Sequence, residues 1–400
     1  MRAIIIGNGL AGTMAAKTIR ELDAAVDIEV FAEEKYPYYP RPNLIEYIAG
    51  TLPYERFFAF PSGWAELQRI KIRTGRPVKL VDPVGRTVET DDGKKTGFDV
   101  LLLANGSRSF VPPFKGVEKK GVFTLKTLDD AQALLEYLKG HPLVCIVGGG
   151  LLGLEIARAV KTRGADVEVV EVFDRLLPRQ LDPAAAAILK SQVEKLGIRV
   201  RLGATTEEIL GGTEARGVRY KGGGATAADM VIIAAGVKPD LSLATKAGLT
   251  VERGVVVDDL LRTSNSRIFA AGDSAQHRGR IYGIIPAAFD QARTVAMNML
   301  DLDKKYEGTV PANTLKVAGL AVTSVGEVQP EGEGYEVLVD QRPAEGIYKK
   351  VVLQKDHLVG AIWLGTRKGA ADIARLTMLR SQVADIKDDI LKDGFNFSGR

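Results

Sequence analysis

Cysteine is almost missing from this sequence, which contains only Cys145 in 400 residues. A single cysteine excludes an intramolecular disulfide framework, a C-x-x-C redox motif and a zinc site built on several cysteines. We expect Cys145 to be a small buried hydrophobe within a strand. Histidine is equally scarce, and the three residues His141, His277 and His357 are scattered along the chain. A metal site is therefore not expected.

Long apolar runs and strong charge are also missing. No segment approaches the length needed to span a bilayer, and residues 1–7 predict a short buried strand rather than a secretion signal. The net charge is +4 and no run of Lys or Arg occurs, which argues against nucleic acid as a partner. We therefore expect a cytoplasmic protein without a membrane span. A chain of this length should form two or three domains.

Two glycine-rich turns are the strongest positive signal. The pattern G-x-G-x-x-G occurs at residues 7–12 and again at residues 148–153, each time between an apolar strand and a predicted helix. One glycine allows the tight turn, one lets the backbone approach a pyrophosphate, and one packs the helix on the strand. The diphosphate then lies at a helix N-terminus, where the dipole favours negative charge. Two such turns predict two dinucleotides in one chain, as a redox flavoenzyme requires.

Acidic residues follow both turns at the expected distance. A carboxylate about 20 residues after the glycines is expected to hold the ribose hydroxyls of a dinucleotide. In the first half Glu34 is the first choice and Glu33 the second, and in the second half the acid is Glu171. A carboxylate at this position accepts from a free 2′-hydroxyl and repels a 2′-phosphate. NADH is thus favoured over NADPH, although Arg175 nearby leaves NADPH as the alternative.

Further segments are typical of a cofactor-binding sheet. The apolar strands at 99–106 and 230–236 end on small residues, which predicts backbone passing close to a cofactor. A strand at 266–273 ends in Gly-Asp, and a long helix is predicted over 286–300. An aspartate at such a strand end can bond a ribityl hydroxyl or reach a diphosphate through a metal or water.

The last part of the chain lacks cofactor motifs. The segments 348–354 and 358–364 predict a β-hairpin. One apolar helix face is predicted from four residues at helical spacing: Ile373, Leu376, Leu379 and Val383. We expect a small α+β domain that serves as an interface.

With these residues the chain resembles a known family, the FAD- and pyridine-nucleotide-dependent oxidoreductases with two dinucleotide-binding domains. The resemblance covers essentially the whole chain and includes residues 6–12, 103–107, 147–155, 234–239 and 269–273. Within the family, residues 37–42 and the C-terminal part are most similar to NADH:rubredoxin reductases and to the flavin part of assimilatory nitrite reductases.

The resemblance implies an α/β fold with two Rossmann-like domains in the glutathione-reductase-like arrangement, one inserted in the other. The FAD-binding domain would be discontinuous and comprise residues 1–112 and 240–310. The inserted NAD(H)-binding domain would comprise residues 113–239. A small α+β C-terminal interface domain would comprise residues 311–400.

The resemblance also implies the residues of both sites. On the FAD side these are Gly7, Asn8, Gly9, Leu10, Ala11, Gly12, Glu33, Glu34, Arg41, Val78, Asn105, Gly272 and Asp273, with Ile285, Pro286 and Ala287 near the flavin ring. On the NADH side they are Gly150, Leu151, Leu152, Gly153, Glu171 and Gly236. Glu155 would lie beside the nicotinamide as a positioning residue, and its alternative role is a first-turn acid that complements the helix dipole.

Two departures from the family bear on the activity. Disulfide reductases of the family carry a redox cysteine after the second strand of the first half, and this sequence has none there, so no thiol relay is expected. Relatives often have a lysine that pairs with the residue matched by Glu155, and here that position is Glu46.

The implied activity is an FAD-dependent oxidoreductase. It would take hydride from NADH onto FAD and pass electrons directly to a small acidic electron carrier such as rubredoxin or a ferredoxin-like protein. The alternatives are an NADH oxidase that uses oxygen and a flavin-binding subunit of a larger redox complex. A homodimer is also compatible with the sequence.

Overall fold

The structure, a computed structural model, describes residues 1–310, 312–317 and 319–397. The described residues form two compact units. The first comprises Met1–Tyr47, Leu52–Arg108 and Val237–Thr309, and the second comprises Ile48–Thr51, Ser109–Gly236 and the chain from Val310 onward. The predicted domain boundary at residue 311, and residues 398–400 of the predicted C-terminal domain, lie outside the described residues.

The described residues contain strands throughout both units. The strands are β1 (Arg2–Ile6), β2 (Asp27–Phe31), β3 (Ile70–Arg73), β4 (Val78–Asp82), β5 (Thr87–Thr90), β6 (Lys95–Gly97), β7 (Val100–Leu103), β8 (Ser107–Ser109), β9 (Val122–Phe123), β10 (Leu143–Val147), β11 (Asp166–Val170), β12 (Arg199–Arg201), β13 (Thr206–Leu210), β14 (Gly217–Tyr220), β15 (Ala225–Ala227), β16 (Met230–Ile233), β17 (Val237–Pro239), β18 (Val255–Val257), β19 (Ile268–Ala270), β20 (Ala275–His277), β21 (Ala312–Val317), β22 (Leu320–Gly326), β23 (Tyr335–Arg342), β24 (Ile347–Gln354) and β25 (His357–Leu364).

Helices of very different length connect these strands. They are α1 (Leu10–Leu22), α2 (Asn43–Ala49), α3 (Trp64–Leu67), α4 (Leu128–Leu138), α5 (Leu151–Thr162), α6 (Pro183–Lys195), α7 (Ser242–Lys246), α8 (Ile285–Asn298) and α9 (Ala370–Met378). None of the helices in the described residues is both long enough and apolar enough to cross a membrane.

The first unit is built on a parallel sheet with the strand order β19-β7-β1-β2-β3. Its central strand β1 is apolar on both faces, and residues 3–6 are buried, as expected for a strand covered on both sides. Helix α1 follows β1 and packs against α8. The carboxyl ends of β1, β2, β7 and β19 therefore meet at one edge of the sheet, where α/β proteins bind ligands. The unit also contains a small antiparallel sheet, β4-β5-β6, and a two-stranded parallel sheet of β18 and β20.

The second unit repeats this plan. Its parallel sheet has the order β12-β11-β10-β16-β9, so that β10, β11, β12 and β16 take the places of β1, β2, β3 and β7. An antiparallel sheet, β13-β14-β15, again lies beside it. Cys145 is fully buried in β10, which confirms its prediction as a core residue. The predicted α/β fold class with two Rossmann-like sheets is confirmed.

The C-terminal part of the second unit forms an antiparallel sheet with the order β21-β22-β25-β24-β23. The predicted hairpin is present as β24 and β25. Its turn residues Lys355 and Asp356 have φ of 50° and 58°, the left-handed pair of a type I′ turn. Helix α9 packs against this sheet, and Trp363, Ile373 and Leu376 share one core with it.

The prediction of one helix face through Val383 is wrong. Helix α9 ends at Met378, and the side chain of Leu379 is 66% exposed. Arg380 then adopts a left-handed φ of 49° and reverses the chain. Val383 does reach the core, but it does so from an irregular segment whose amide donates to the carbonyl of Asp356. Apolar spacing alone could not reveal that the chain turns between the two residues.

Candidate dinucleotide-binding sites

The first glycine turn joins β1 to α1. Gly7 has a φ of 112°, and a Cβ at this residue would lie 2.2 Å from the carbonyl oxygen of Ala104. A Cβ at Gly12 would lie 1.9 Å from the carbonyl oxygen of Gly7. Gly9 differs from both, because its Cβ position has no heavy atom within 4 Å. The outer glycines thus allow close packing of the turn, and the middle one leaves open space beside the backbone.

The second glycine turn, between β10 and α5, has the same geometry. A Cβ at Gly148 would lie 2.4 Å from the carbonyl oxygen of Ala234, and one at Gly153 would lie 2.0 Å from that of Gly148. The Cβ position of Gly150 again has no heavy atom within 4 Å. Each middle glycine directly precedes a helix whose first amides have no partner inside the helix. Both turns are therefore open cradles lined by amide donors.

Asn8 adds a side-chain donor to the first cradle. Its Oδ1 accepts a hydrogen bond of 3.0 Å from the hydroxyl of Thr13. Its Nδ2 is buried and has no hydrogen-bond partner among the described residues. A buried amide donor without an acceptor costs free energy unless a ligand supplies one.

Glu34 lies in a cluster with Arg41 and Tyr39. Arg41 Nη2 lies 2.5 Å from Glu34 Oε1, and the hydroxyl of Tyr39 donates to Glu34 Oε2 while accepting from Arg41 Nη1. The structure thus brings together two predicted residues, Glu34 and Arg41. Glu33 points elsewhere, because its largely exposed carboxylate pairs with Arg108 at 3.3 Å. Tyr39 was not singled out, although it lies in a run of proline-flanked tyrosines at residues 36–40.

The Gly272-Asp273 turn also reaches the first glycine turn. Gly272 has a φ of 80°, and its Cβ position lies 3.1 Å from Cβ of Ala11 in helix α1. Its amide donates to Gln291 Oε1 at 2.8 Å. Asp273 Oδ2 accepts a hydrogen bond of 2.6 Å from the hydroxyl of Ser107, which follows β7. The sequence motifs do not predict Ser107 and Gln291 as site residues, because one contact spans 166 residues and the other joins a strand end to a helix 19 residues later.

The remaining predicted residues of the first unit occupy different places. Asn105 follows β7, and its Nδ2 donates to the carbonyl of Asp240 at 2.8 Å. Val78 lies in β4 of the antiparallel sheet and packs in the core. At the start of α8, Ile285 and Pro286 are exposed whereas Ala287 is buried.

Glu171 is held by the second turn itself. The residue is only 6% exposed, and its Oε2 accepts a hydrogen bond of 2.6 Å from the amide of Gly149. Its Oε1 accepts one of 2.9 Å from the amide of Phe173. A carboxylate can accept about four hydrogen bonds, so two further donors such as ribose hydroxyls can be accommodated.

Glu155 lies one turn into α5. Its carboxylate accepts from Arg158 Nη2 at 3.2 Å, and both side chains are about one fifth exposed. Leu151 and Leu152 form the first residues of the same helix, and Gly236, with a φ of 103°, follows β16. These residues share the carboxyl edge of the second parallel sheet with Gly150 and Gly153.

A family model described as pyridine nucleotide-disulphide oxidoreductase matches residues 1–292. The chain belongs to this family. A second model, described as the rubredoxin NAD+ reductase C-terminal domain, matches residues 311–378.

The sequence similarity to two relatives covers nearly the whole chain. Over 96% of its length, the chain is 35% identical to a nitrite reductase [NAD(P)H] of Bacillus subtilis. The chain spans only about half (48%) of the length of that relative. It is 30% identical to an NADH-rubredoxin oxidoreductase of Clostridium acetobutylicum, with 94% of this chain and 95% of the relative covered. The crystal structure of NADH:rubredoxin oxidoreductase from Clostridium acetobutylicum superposes with a TM-score of 0.79 at 26% identity, and covers 96% of this chain and 97% of that one.

The geometry of the two turns fits dinucleotide cofactors such as FAD and NADH. The open Cβ positions of Gly9 and Gly150 leave room for a diphosphate against the backbone. The unpartnered Nδ2 of Asn8 supplies a further donor in the first turn. A side chain at either middle glycine would fill the space that a diphosphate needs.

The disulfide in the family's name has no counterpart within this chain. Its single cysteine, Cys145, is fully buried in β10. Burial and the nearby carboxylate of Glu168 raise the pKa of this thiol well above its usual range. A buried thiol that stays protonated is a poor nucleophile, so Cys145 is unsuited to thiol–disulfide exchange.

Proposed function

We propose that this chain is an FAD-dependent reductase that oxidises NADH and delivers the electrons directly to a small electron-carrier protein such as rubredoxin or a ferredoxin. The observation that carries the proposal is the pair of glycine turns with matching geometry, each open at its middle glycine and each followed by a carboxylate. One protein that holds two dinucleotides in this way can keep one and exchange the other.

We assign FAD to the turn at Gly7–Gly12. The amides at the start of α1 and the Nδ2 of Asn8 would receive the diphosphate, since a helix N-terminus favours negative charge. Glu34, fixed by Arg41 and Tyr39, would accept from the ribose hydroxyls. When bound, FAD supplies the chemistry that links a two-electron donor to one-electron acceptors.

The remaining FAD assignments are drawn from the same edge of the sheet. The Ser107–Asp273 pair would present a carboxylate to the ribityl or diphosphate region. Predicted contacts complete this set: Glu33, Val78, Asn105, Gly272, Ile285, Pro286 and Ala287.

We assign NADH to the turn at Gly148–Gly153. Glu171 would accept from the adenosine ribose, and its carboxylate would repel a 2′-phosphate, which favours NADH over NADPH. Glu155 would position the nicotinamide end, with its carboxylate oriented by Arg158. Gly236, Leu151 and Leu152 would line the same site.

Direct electron delivery is supported by the buried state of Cys145, which leaves no thiol in this chain suited to relay electrons. A small carrier as the acceptor is supported by the match of residues 311–378 to a rubredoxin NAD+ reductase C-terminal domain. The carrier would be acidic, because the chain has a net charge of +4. Since the nitrite reductase relative is about twice as long, a further redox module of a larger complex is also a suitable acceptor.

The domain layout forms part of the proposal. Residues 1–112 and 240–310 would bind FAD, residues 113–239 would bind NADH, and residues 311–400 would provide an interface for a partner or for a second copy of the chain. A cytoplasmic location fits these assignments, because NADH and small carriers meet there.

The deciding experiment is an anaerobic titration of the FAD-loaded protein with NADH, followed at the flavin absorbance band. We expect bleaching by about one NADH per flavin. Addition of oxidised rubredoxin or ferredoxin should restore the band rapidly, and air should restore it slowly.

Other outcomes favour other functions. Rapid recovery in air without a carrier would favour an NADH oxidase. A flavin that NADH cannot bleach would contradict the NADH assignment and favour a flavin-binding subunit that turns over only within a larger complex.

A further inference from the structure

The segment 172–182, which follows Glu171, supports the second glycine turn directly. The amide of Leu177 donates to the carbonyl of Gly149 at 3.2 Å. Leu176 and Leu177 are fully buried, and Cδ2 of Leu176 lies 2.7 Å from the Cβ position of Gly149. Leu177 has a left-handed φ of 48°, which a non-glycine residue adopts only when its surroundings impose it. Any shift of this segment would therefore move the turn that we assign to NADH.

The C-terminal sheet and the loop between β22 and β23 also contact this segment. Gln329 Nε2 donates to the carbonyls of Pro178 at 3.0 Å and Leu181 at 3.3 Å. The hydroxyl of Ser324 donates to the carbonyl of Gln180 at 2.8 Å. Ser324 of β22 and Gln329 of the loop after β22 thus donate to three carbonyls within residues 178–181 of a loop that frames the nucleotide site, and Gln329 provides two of these contacts.

Gln329 also accepts a hydrogen bond from the guanidinium of Arg175. Gln329 Oε1 accepts from Arg175 Nη2 at 3.0 Å, and Arg175 Nη1 donates to Asp174 Oδ1 at 2.9 Å. The side chain of Arg175 is 24% exposed. An arginine close to the ribose acid is the group that accommodates a 2′-phosphate in NADP-binding proteins. Here its outer nitrogens already have acceptors within the protein.

We propose that Gln329 is a positioning residue for NADH, through which the C-terminal domain sets the selectivity of the nucleotide site. Gln329 fixes the 172–182 segment against the glycine turn and keeps Arg175 from a 2′-phosphate. The proposal rests on the assignment of NADH to this turn in the proposed function. It means that the C-terminal domain contributes to cofactor choice as well as to an interface.

The test compares Gln329→Leu with Gln341→Leu in the full FAD-loaded chain. Gln341 is exposed on β23 of the C-terminal sheet and serves as the control. Binding of NAD+ and NADP+ is measured by calorimetry, which needs no turnover, and KM and kcat are measured with NADH. Melting temperature and FAD content are recorded for each variant.

We expect Gln329→Leu to weaken NAD+ binding about tenfold, equivalent to about 1.4 kcal/mol, and to narrow the preference for NAD+ over NADP+ by at least that factor. The KM for NADH should rise while kcat at saturation stays the same. Adding Arg175→Gln to this variant should remove the gain in relative NADP+ binding. Gln341→Leu should match the wild type throughout.

Two results would overturn the inference alone. In one, the wild type binds NAD+ and Gln329→Leu keeps the same NAD+ to NADP+ ratio. In the other, the variant lowers the melting temperature and weakens both nucleotides equally, which indicates a merely structural role. A wild type that binds neither nucleotide would instead overturn the NADH assignment, and this inference with it.

Discussion

The two parallel sheets of this chain have corresponding strand orders, and each has a buried carboxylate in the corresponding strand. In the first, Glu29 of β2 is nearly buried and pairs with Arg73 of β3 at 2.9 Å. In the second, Glu168 of β11 is equally buried and pairs with Arg201 of β12 at 2.8 Å. A buried carboxylate needs such a partner, because an unpaired one would pay its full desolvation cost. The sequence Asp-x-Glu thus occurs in the second strand of both sheets, and in both the buried glutamate pairs with an arginine of the adjacent strand.

The carboxylates that follow these strands differ in their partners. Glu34 is held by long side chains, Arg41 and Tyr39, from the segment after it. Glu171 is held by two backbone amides, those of Gly149 and Phe173. The position of Glu171 is therefore fixed by the turn itself, whereas that of Glu34 depends on neighbouring side chains. Equal spacing from the glycines does not imply equal surroundings.

The largest effect should come from the glycines that pack each helix on its turn. Gly12→Ala and Gly153→Ala would each place a Cβ about 2 Å from a carbonyl oxygen. We expect either variant to lose about 3 kcal/mol or more of unfolding free energy, because backbone cannot yield as a side chain can. Urea unfolding measures this loss, and Gly140→Ala, whose Cβ position is open, is the matched control. A tolerated substitution in one half alone would show that the halves pack differently.

Substitution of each middle glycine should impair the binding of one cofactor and leave the fold intact. Gly9→Ala and Gly150→Ala both point a methyl group into open space. We expect Gly9→Ala to fold but to lose FAD, with affinity reduced at least about a hundredfold by the clash with the diphosphate. Gly150→Ala should retain FAD and lose NAD+ binding. Flavin content after purification and NAD+ calorimetry check both, and the reverse pattern would contradict the assignment of the two sites.

Local sequence pattern predicts much of this comparison. The glycine turns, the acids Glu34 and Glu171 and the strands of both sheets follow from short-range rules, since each motif spans one strand, one turn and one helix. The partners of the acids do not follow from these rules. Tyr39 reaches Glu34 only because the proline-rich segment folds back.

Contacts between distant parts of the sequence could not be predicted. Ser107 and Asp273 are separated by 166 residues, and Arg175 and Gln329 by 154. Such pairs depend on how sheets and loops pack, which no single periodicity encodes. The early end of α9 at Met378 has the same origin, because the chain reverses to pair with the hairpin.

Neutralising Glu171 and Glu34 separately should weaken nucleotide binding to different extents. Glu171→Gln leaves one of the two backbone amides that contact this side chain facing an NH2 donor, so we expect NAD+ binding to weaken about tenfold or more. Glu34→Gln keeps an acceptor for Tyr39 or Arg41 and should weaken FAD by a smaller factor. Calorimetry with NAD+, and with FAD on the apoprotein, measures the two effects. Equal losses would mean that the surroundings of the acids do not matter.

The smallest expected effect is a change in stability on substitution of Asp182, which connects helix α6 to the C-terminal sheet. It caps α6 through the amide of Ala185 at 3.0 Å and accepts from Tyr348 at 2.6 Å and Lys350 at 2.9 Å. Burial raises the pKa of this carboxyl, but these three hydrogen bonds outweigh burial and hold the pKa below its usual range.

A lowered pKa in the folded state contributes stability above the unfolded value of about 3.9, and that contribution is lost as the pH falls through the folded value. Asp182→Asn retains an acceptor for the helix cap but lacks the charge. We therefore expect it to be about 1 kcal/mol less stable than the wild type at pH 7, with a difference that shrinks below pH 4. Urea unfolding between pH 7 and pH 3.5 measures the difference. A gap that stays constant over this range would mean that the charge of Asp182 does not stabilise the contact between α6 and the C-terminal sheet.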